Sequence, residues 1–404
     1  MTINFTELPL MQRFMSSILI VQVTVSFTVF GFLQGFSYLA LGLTLLNFLI
    51  MGCLYIVRKE MSVFGLLSFI FFILLISFSF INNTDYKNAI YRSAEIFLLL
   101  MLTNYFKNDL SIFLKTTALT FSLCVYANIG LMLMFPDWMF AAEDAFDSYI
   151  LGGNYNQMGC RLLCAIVSNF LCIRFGKRWL FNTILVTILS IITLAIVGST
   201  TALSCIGLLT IFCLVPSVKL QKIGVISFFI FYILFQCFVC FPGEGLHNNE
   251  IASYIIKDVM GKDLTFTNRT RMWSSAGELF AQSPIIGYGI VDNEWYVSNM
   301  DSFAKGPHNF IYGILINGGL VLMFLFIALF IYAVKHLMRY TDKTSVTLMM
   351  GITTLLFMMT MEVYPYFFIF YLLTLAYYYP ELDNIWQSKK IEKENQKDNN
   401  LATI

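Results

Sequence analysis

Two arginines and a histidine are the residues whose types and spacing best suit chemistry at a phosphate. Residues 268–281 read NRTRMWSSAGELFA, with Met272, Trp273, Ala276, Leu279 and Phe280 at helical spacing. Thr267 or Asn268 supplies an N-cap, and Ser283-Pro284 stops the run. Arg269 and Arg271 therefore fall in the first turn of a short amphipathic helix. Free backbone N–H groups, the positive helix end and two guanidinium forks all favour an anion there. A pyrophosphate at a membrane surface fits, and so do lipid headgroup phosphates; local sequence does not separate them. The helix is expected to lie on the membrane surface with Trp273 at headgroup level.

His308 is one of three histidines and directly precedes an apolar run, within Gly306-Pro307-His308-Asn309. A helix N-terminus disfavours imidazolium, so a neutral ring able to accept a proton is expected, as a general base requires. An interfacial ring satisfied by water is the competing reading. His247 is a second candidate, and His336 lies among basic residues in a solvated loop. Pro284-x-x-Gly287-x-Gly289 marks a sharp bend between the arginines and His308. Arg161 stands about one turn into another apolar run, after Gly152-Gly153-Asn154-Tyr155-Asn156, with no acid nearby in sequence. It either holds a lipid-linked phosphate from beneath or snorkels to the interface. Arg92 and Glu95, three apart, can pair. Glu362, at the outer end of an apolar run, has no evident role.

The elements that must position these residues are membrane helices. Apolar types make up 58% of the chain and charged types 12%, roughly half the charge of a soluble domain. Hydrocarbon accepts such a surface and water does not. Windows of ~20 apolar residues predict spans at 14–33, 36–57, 61–81, 88–106, 111–135, 157–174, 179–198, 200–218, 223–241, 309–334, 344–362 and 364–379. With the N-terminus inside, the basic residues concentrate in the short inside loops: Arg58, Lys59, Lys107, Arg174, Lys177, Arg178, Lys219, Lys222, Lys335, Arg339 and Lys343. The expectation is an all-α polytopic protein of about 12 transmembrane helices. It has an N-terminal bundle over 1–241, a large extracytoplasmic loop over 242–308, further spans over 309–380 and a disordered cytoplasmic tail over 381–404. A second outside loop, 136–156, is acidic. The nine cysteines all fall in apolar runs and are expected as free thiols, the Cys237-x-x-Cys240 pair included. Basic residues occur singly or in pairs, which points away from nucleic acid.

Arg269-x-x-x-Trp273, Pro284-x-x-Gly287-x-Gly289, His308-Asn309 and Gly318-Gly319, in that order, resemble the O-antigen ligase/polymerase family of bacterial membrane glycosyltransferases. The likeness covers about 265–330. Gly152-x-Asn154-x-Asn156 and Ser199-Thr200-Thr201-Ala202 resemble two further family features. The resemblance implies an integral-membrane glycosyltransferase (GT-C-like) bundle in the bacterial plasma (inner) membrane; the charge bias puts both termini in the cytoplasm. It implies a polyprenyl-diphosphate-linked oligosaccharide as donor, a second such glycan as acceptor, and repeat units of O-antigen or capsule as product. It carries the diphosphate-engaging role onto Arg269 and the hydroxyl-activating role onto His308. Trp273, Asn309, Gly287 and Gly289 support them, with no metal or cofactor. Many members carry Ser-Arg-Gly where this chain has Thr200-Thr201-Ala202. One family arginine is therefore missing, and Arg161 is the candidate substitute, with Arg271, for binding diphosphate. Whether a chain-length regulator protein binds stays open. A ligase transferring the glycan to lipid A core shares the same motifs. A lipid-glycan transporter or flippase would instead spread polar residues around a midplane cavity.

Overall fold

The computed structural model describes residues 16–21, 24, 37–58, 62–136, 157–243, 268–300, 306–388 and 391. Among these the chain is helical, without strands. The helices are α1 (Ser37–Arg58), α2 (Val63–Ile81), α3 (Tyr86–Tyr105), α4 (Leu110–Met134), α5 (Met158–Cys172), α6 (Lys177–Ile196), α7 (Thr200–Leu214) and α8 (Val218–Phe235). After them come α9 (Arg269–Gln282), α10 (Asn293–Asn299), α11 (Phe310–Leu337), α12 (Lys343–Met358) and α13 (Tyr366–Tyr377).

Among the described residues, six stretches are long and apolar enough to cross a membrane: Val63–Ile81, Lys107–Met134, Met158–Phe175, Lys177–Ile196, Val218–Cys240 and Phe310–Leu337. Four apolar helices among them are shorter: Gly42–Gly52, Thr200–Leu214, Lys343–Met358 and Tyr366–Tyr377. Burial sorts them into layers. In α13 every residue from Tyr366 to Ala376 is buried, and α5 is buried from Met158 to Asn169. These two helices therefore form the centre. By contrast α6 and α8 expose rows of large apolar side chains, among them Phe181, Ile184, Ile188, Ile226 and Ile230. An apolar outer face is what a lipid solvent permits.

Polar side chains inside the bundle are matched to one another. Asn182 Nδ2 on α6 donates to Asn169 Oδ1 on α5 at 2.6 Å, and Asn169 Nδ2 donates to Ser122 Oγ on α4 at 2.9 Å. The Tyr371 hydroxyl on α13 donates to Thr117 Oγ1 at 3.1 Å and lies 2.8 Å from Ser168 Oγ. Bonds of this kind hold helices together where the hydrophobic effect is weak. The eight cysteines whose side chains are described are free thiols, including Cys237 and Cys240.

Two expectations fail at the charged residues of α3 and at the tail. Arg92 Nε donates to Asn88 Oδ1 at 3.1 Å, and Glu95 hydrogen-bonds with Tyr91; the Arg92–Glu95 ion pair does not form. The chain after Pro380 is not disordered as far as 388. Residues 379–388 are helical, with Pro380 in the first turn, where its missing N–H costs nothing. Leu382 and Trp386 are buried, and Asp383 pairs with Arg174 at 3.0 Å. Arg174 also lies 3.5 Å from Asp342 and stacks over Trp386 at 4.4 Å. The remaining tail residues, apart from 391, lie outside the described residues.

Helix α11 is broken. Gly318 (φ −156°, ψ 16°) and Gly319 (φ 59°, ψ −156°) leave helical geometry, and Gly319 takes a conformation that side chains exclude. Straight, its 28 residues would reach about 42 Å, against about 24 Å for the 16 residues of α12. Yet Phe310 N, at the start of α11, donates to Met359 O, just past the end of α12, at 2.8 Å. The stretch before the break therefore leaves the axis of the rest of α11.

The segment 284–290 fills this break. Tyr288 N donates to Ile316 O at 2.7 Å, and Gly289 N to Asn317 O at 3.0 Å. From the other side, Leu320 N donates to Pro284 O at 2.8 Å and Val321 N to Ile285 O at 3.2 Å. Two carbonyls and two amides at the break, of Ile316, Asn317, Leu320 and Val321, are thus satisfied by a second chain segment, as a low-dielectric surround favours.

Candidate functional site

Glu362 sits in the turn between α12 and α13 and is the hub of the site. Its Oε1 lies 3.1 Å from His308 Nδ1, and its Oε2 lies 3.8 Å from an Arg269 terminal nitrogen. The Glu362 side chain is 7% exposed, against 26% for His308 and 21% for Arg269. A buried carboxylate is thereby shared between a guanidinium and an imidazole that open to the outside. The His308 approach is short but bent, a close electrostatic contact and not a straight hydrogen bond. Catalytic contacts commonly have this geometry before substrate arrives.

Each member is held by neighbouring structure. Asn309, fully buried, is the N-cap of α11 and accepts from Tyr312 N at 3.2 Å. Its amide pairs with Gln236: Asn309 Nδ2 donates to Gln236 Oε1 at 3.1 Å and Gln236 Nε2 donates back to Asn309 Oδ1 at 3.3 Å. Gln236 opens a π-helical turn, Gln236–Cys240, at the end of α8. Single π-turns of that kind are frequent at functional sites. Pinned on this side, His308 adopts a left-handed backbone (φ 42°), unusual for a residue with a side chain and frequent at functional sites.

Arg269 is the first residue of α9, as the sequence indicates, and Asn268 is its N-cap. The cap differs from expectation: Asn268 is left-handed (φ 65°) and its side chain makes no capping bond. Arg271 does not join Arg269. Residues two apart on a helix point to different faces, and Arg271 is exposed. Trp273 is not a headgroup-level anchor either. It is wholly buried, and α9 packs into the protein, with Gly277 against the Tyr312 ring of α11.

Arg161 is fully buried and does not snorkel. One guanidinium nitrogen donates to Gln157 O at 2.7 Å, and the group lies over the Phe368 ring at 5.2 Å. Two residues earlier, Gly159 packs against Ala202 of α7 and the Tyr364 hydroxyl. Tyr364 stands between Glu362 and the start of α13, so Arg161's helix approaches the site through Gly159 and Tyr364. Gly287 and Gly289 do not face the site. They are the close approaches that let 284–290 enter the α11 break and lie against Ser79 of α2. His247 and Gly152-x-Asn154-x-Asn156 lie outside the described residues. Among the described residues, no group of three or more His, Cys, Asp and Glu side chains is placed to hold a metal ion.

Residues 161–327 match the O-antigen ligase family. The match begins at Arg161 and contains Arg269, the 284–290 segment, His308 and the Gly318-Gly319 break; Glu362 lies beyond its end. It points to an O-antigen ligase- or polymerase-type membrane enzyme, a glycosyltransferase at that coarse level. No curated protein matches the chain.

Sequence reasoning placed Arg269 and His308 correctly in their elements and left Glu362 without a role. A signal was present. A lone carboxylate at the end of an apolar run is costly unless a cation meets it.

Proposed function

We propose that the protein is a polymerase of polyprenyl-diphosphate-linked oligosaccharide repeat units of O-antigen or capsular polysaccharide. The observation that carries this reading is the bridge from Glu362 to both Arg269 and His308. One carboxylate positions a phosphate-binding cation and a proton-accepting ring at the same end of the bundle.

The chemistry follows from the parts. Glu362 favours a proton on His308 Nδ1, which leaves Nε2 to accept one. The acceptor hydroxyl attacks the anomeric carbon, and its proton passes to Nε2. The bond from that carbon to the diphosphate oxygen breaks with both electrons on the diphosphate. Arg269 stabilises the charge that grows there. Arg161 from beneath and Arg271 from the exposed face are secondary contributors to holding the diphosphate in this reading.

The site faces the extracytoplasmic side in this proposal. At the opposite end gather Lys107, Arg174, Lys177, Arg178, Lys219, Lys222, Lys335, Arg339 and Lys343, the bias that marks a cytoplasmic face. A twelve-span, GT-C-like chain in the bacterial inner membrane, with both termini cytoplasmic, is the corresponding architecture. Transfer of the glycan to lipid A core is the second reading, favoured by the ligase description of the matched family.

Reconstitution separates them. The purified protein is given a synthetic polyprenyl-diphosphate-linked repeat unit, and products are resolved by length. A ladder supports the polymerase. A single transfer that appears only when lipid A core is added supports the ligase. No transfer to either acceptor would overturn the glycosyltransferase reading.

A further inference from the structure

We propose that Tyr288 and Trp295 form a sugar-stacking subsite for the glycan that enters the site; this rests on the glycosyl-transfer reading above. The two rings lie 5.0 Å apart, inclined at 52°, and both residues are half-buried, so the pair keeps an open side.

The pair is rigid. Every polar group of Tyr288 is already engaged: its N–H with Ile316 O at 2.7 Å, its carbonyl with Thr84 Oγ1 at 2.8 Å, and its hydroxyl with Leu279 O at 3.1 Å. What Tyr288 has left to offer is a ring face in fixed orientation. Trp295 is fixed through α10. Asp292 caps that helix by accepting from Trp295 N at 2.8 Å, and the buried Tyr296 anchors it, with its ring 5.6 Å from Trp295 and nearly perpendicular.

The location suits a glycan. Tyr288 is bonded both to Leu279 of α9, the helix that opens with Arg269, and to Ile316 of α11, the helix that His308 precedes. The aromatic pair thus lies against the two helices that carry Arg269 and His308.

The surroundings suit sugar better than lipid. A pyranose presents a face of C–H bonds polarised by its oxygens, which meets the negative face of an indole or phenol ring. Its hydroxyls need acceptors at the edge. Exposed Asp292, Asn293 and Glu294 supply them on the same helix as Trp295. Those carboxylates would repel anionic headgroups. Exposed Val297 and Ile285 mark the competing role, a membrane anchor. A preorganised aromatic pair binds with little ordering cost, and the sugar that suits it is set by which ring face fits the cleft.

The test uses the full chain in nanodiscs. The probe is the repeat-unit oligosaccharide released by mild acid from the cells' own lipid-linked pool, titrated by calorimetry. Trp295→Leu keeps apolar area and removes the π face. It is expected to raise Kd at least about tenfold, whereas Trp295→Phe stays within about threefold. Glu294→Leu, on an exposed side chain, also weakens binding; an anchor would gain from it. In turnover, Trp295→Leu raises KM for the lipid-linked glycan and leaves kcat unchanged, while His308→Ala lowers kcat and leaves oligosaccharide binding intact. Wild-type Kd in both Leu variants would overturn the subsite. Trp295-dependent binding without any transfer by the wild type would overturn the transfer reading and leave the subsite standing. Transfer with unaltered KM in Trp295→Leu would do the reverse.

Discussion

His308 Nδ1 lies 3.1 Å from Glu362 Oε1, although the two residues belong to different turns at the outer end of the bundle. A carboxylate at that nitrogen fixes the imidazole tautomer and stabilises the ring once it has taken a proton. Glu362→Gln keeps the shape and removes the charge. Its transfer rate is expected to fall at least about tenfold, and His308→Ala to fall about 10²–10⁴-fold, the range for a positioned general base. Single-turnover rates on lipid-linked substrate give both values. A Gln variant at wild-type rate would remove Glu362 from the mechanism.

The two loop arginines should separate. Arg269 contacts Glu362, while Arg271 is exposed on another face of α9. Arg269→Ala is expected to lose at least about a hundredfold in rate, in the range for a lost charge-stabilising donor. Arg271→Ala should stay within about threefold. Arg269→Lys should recover only part of the loss, because an ammonium lacks the fork that meets diphosphate oxygens. Equal losses at both positions would mean that the pair acts together at the helix end.

Two glycines give opposite stability outcomes. A Cβ on Gly287 would lie 2.3 Å from Ile316 O and 2.7 Å from Gly318 N, at a φ of +60°. Backbone cannot step aside cheaply, so Gly287→Ala should cost about 3 kcal/mol or more. Gly313, inside α11, has nothing within 4 Å of its added Cβ. Gly313→Ala should be neutral or stabilising by up to about 1 kcal/mol. Thermal unfolding in detergent distinguishes the two.

Trp273→Ala is expected to cost about 3–5 kcal/mol, as for a buried aromatic in a packed core. An interfacial tryptophan would lose far less. The readout is the unfolding midpoint of the purified protein, with Trp273→Phe as the milder partner.

Hydropathy and helix signals in the sequence located the helices well, because lipid demands an apolar face over a length set by the bilayer. Arg269 and His308 were legible for a related reason: each sits at a helix start, where local rules apply. Burial of Trp273 was not legible, since only the docking of α9 against α11 decides which side of an amphipathic helix meets protein. Glu362 and Gln236 escaped for the same cause; their partners come from turns far along the chain. The tail misled, because its polar, Lys- and Glu-rich composition hides the two apolar side chains, Leu382 and Trp386, that dock its first turns. The Gly287-Gly289 bend and the Gly318-Gly319 pair were both visible as motifs. That one motif repairs the backbone of the other was not.

The repair of the α11 break sets limits on what can be exchanged between relatives. Residues 284–290 supply four backbone hydrogen bonds to a membrane helix and touch Ser79, Asn82 and Thr84 besides. A graft that replaces the outer loop to change which glycan is joined must therefore keep Pro284–Ile290 with Gly318-Gly319, or move both as a unit. Chimaeras cut between them would enter the bilayer with a severed helix and no insert to mend it.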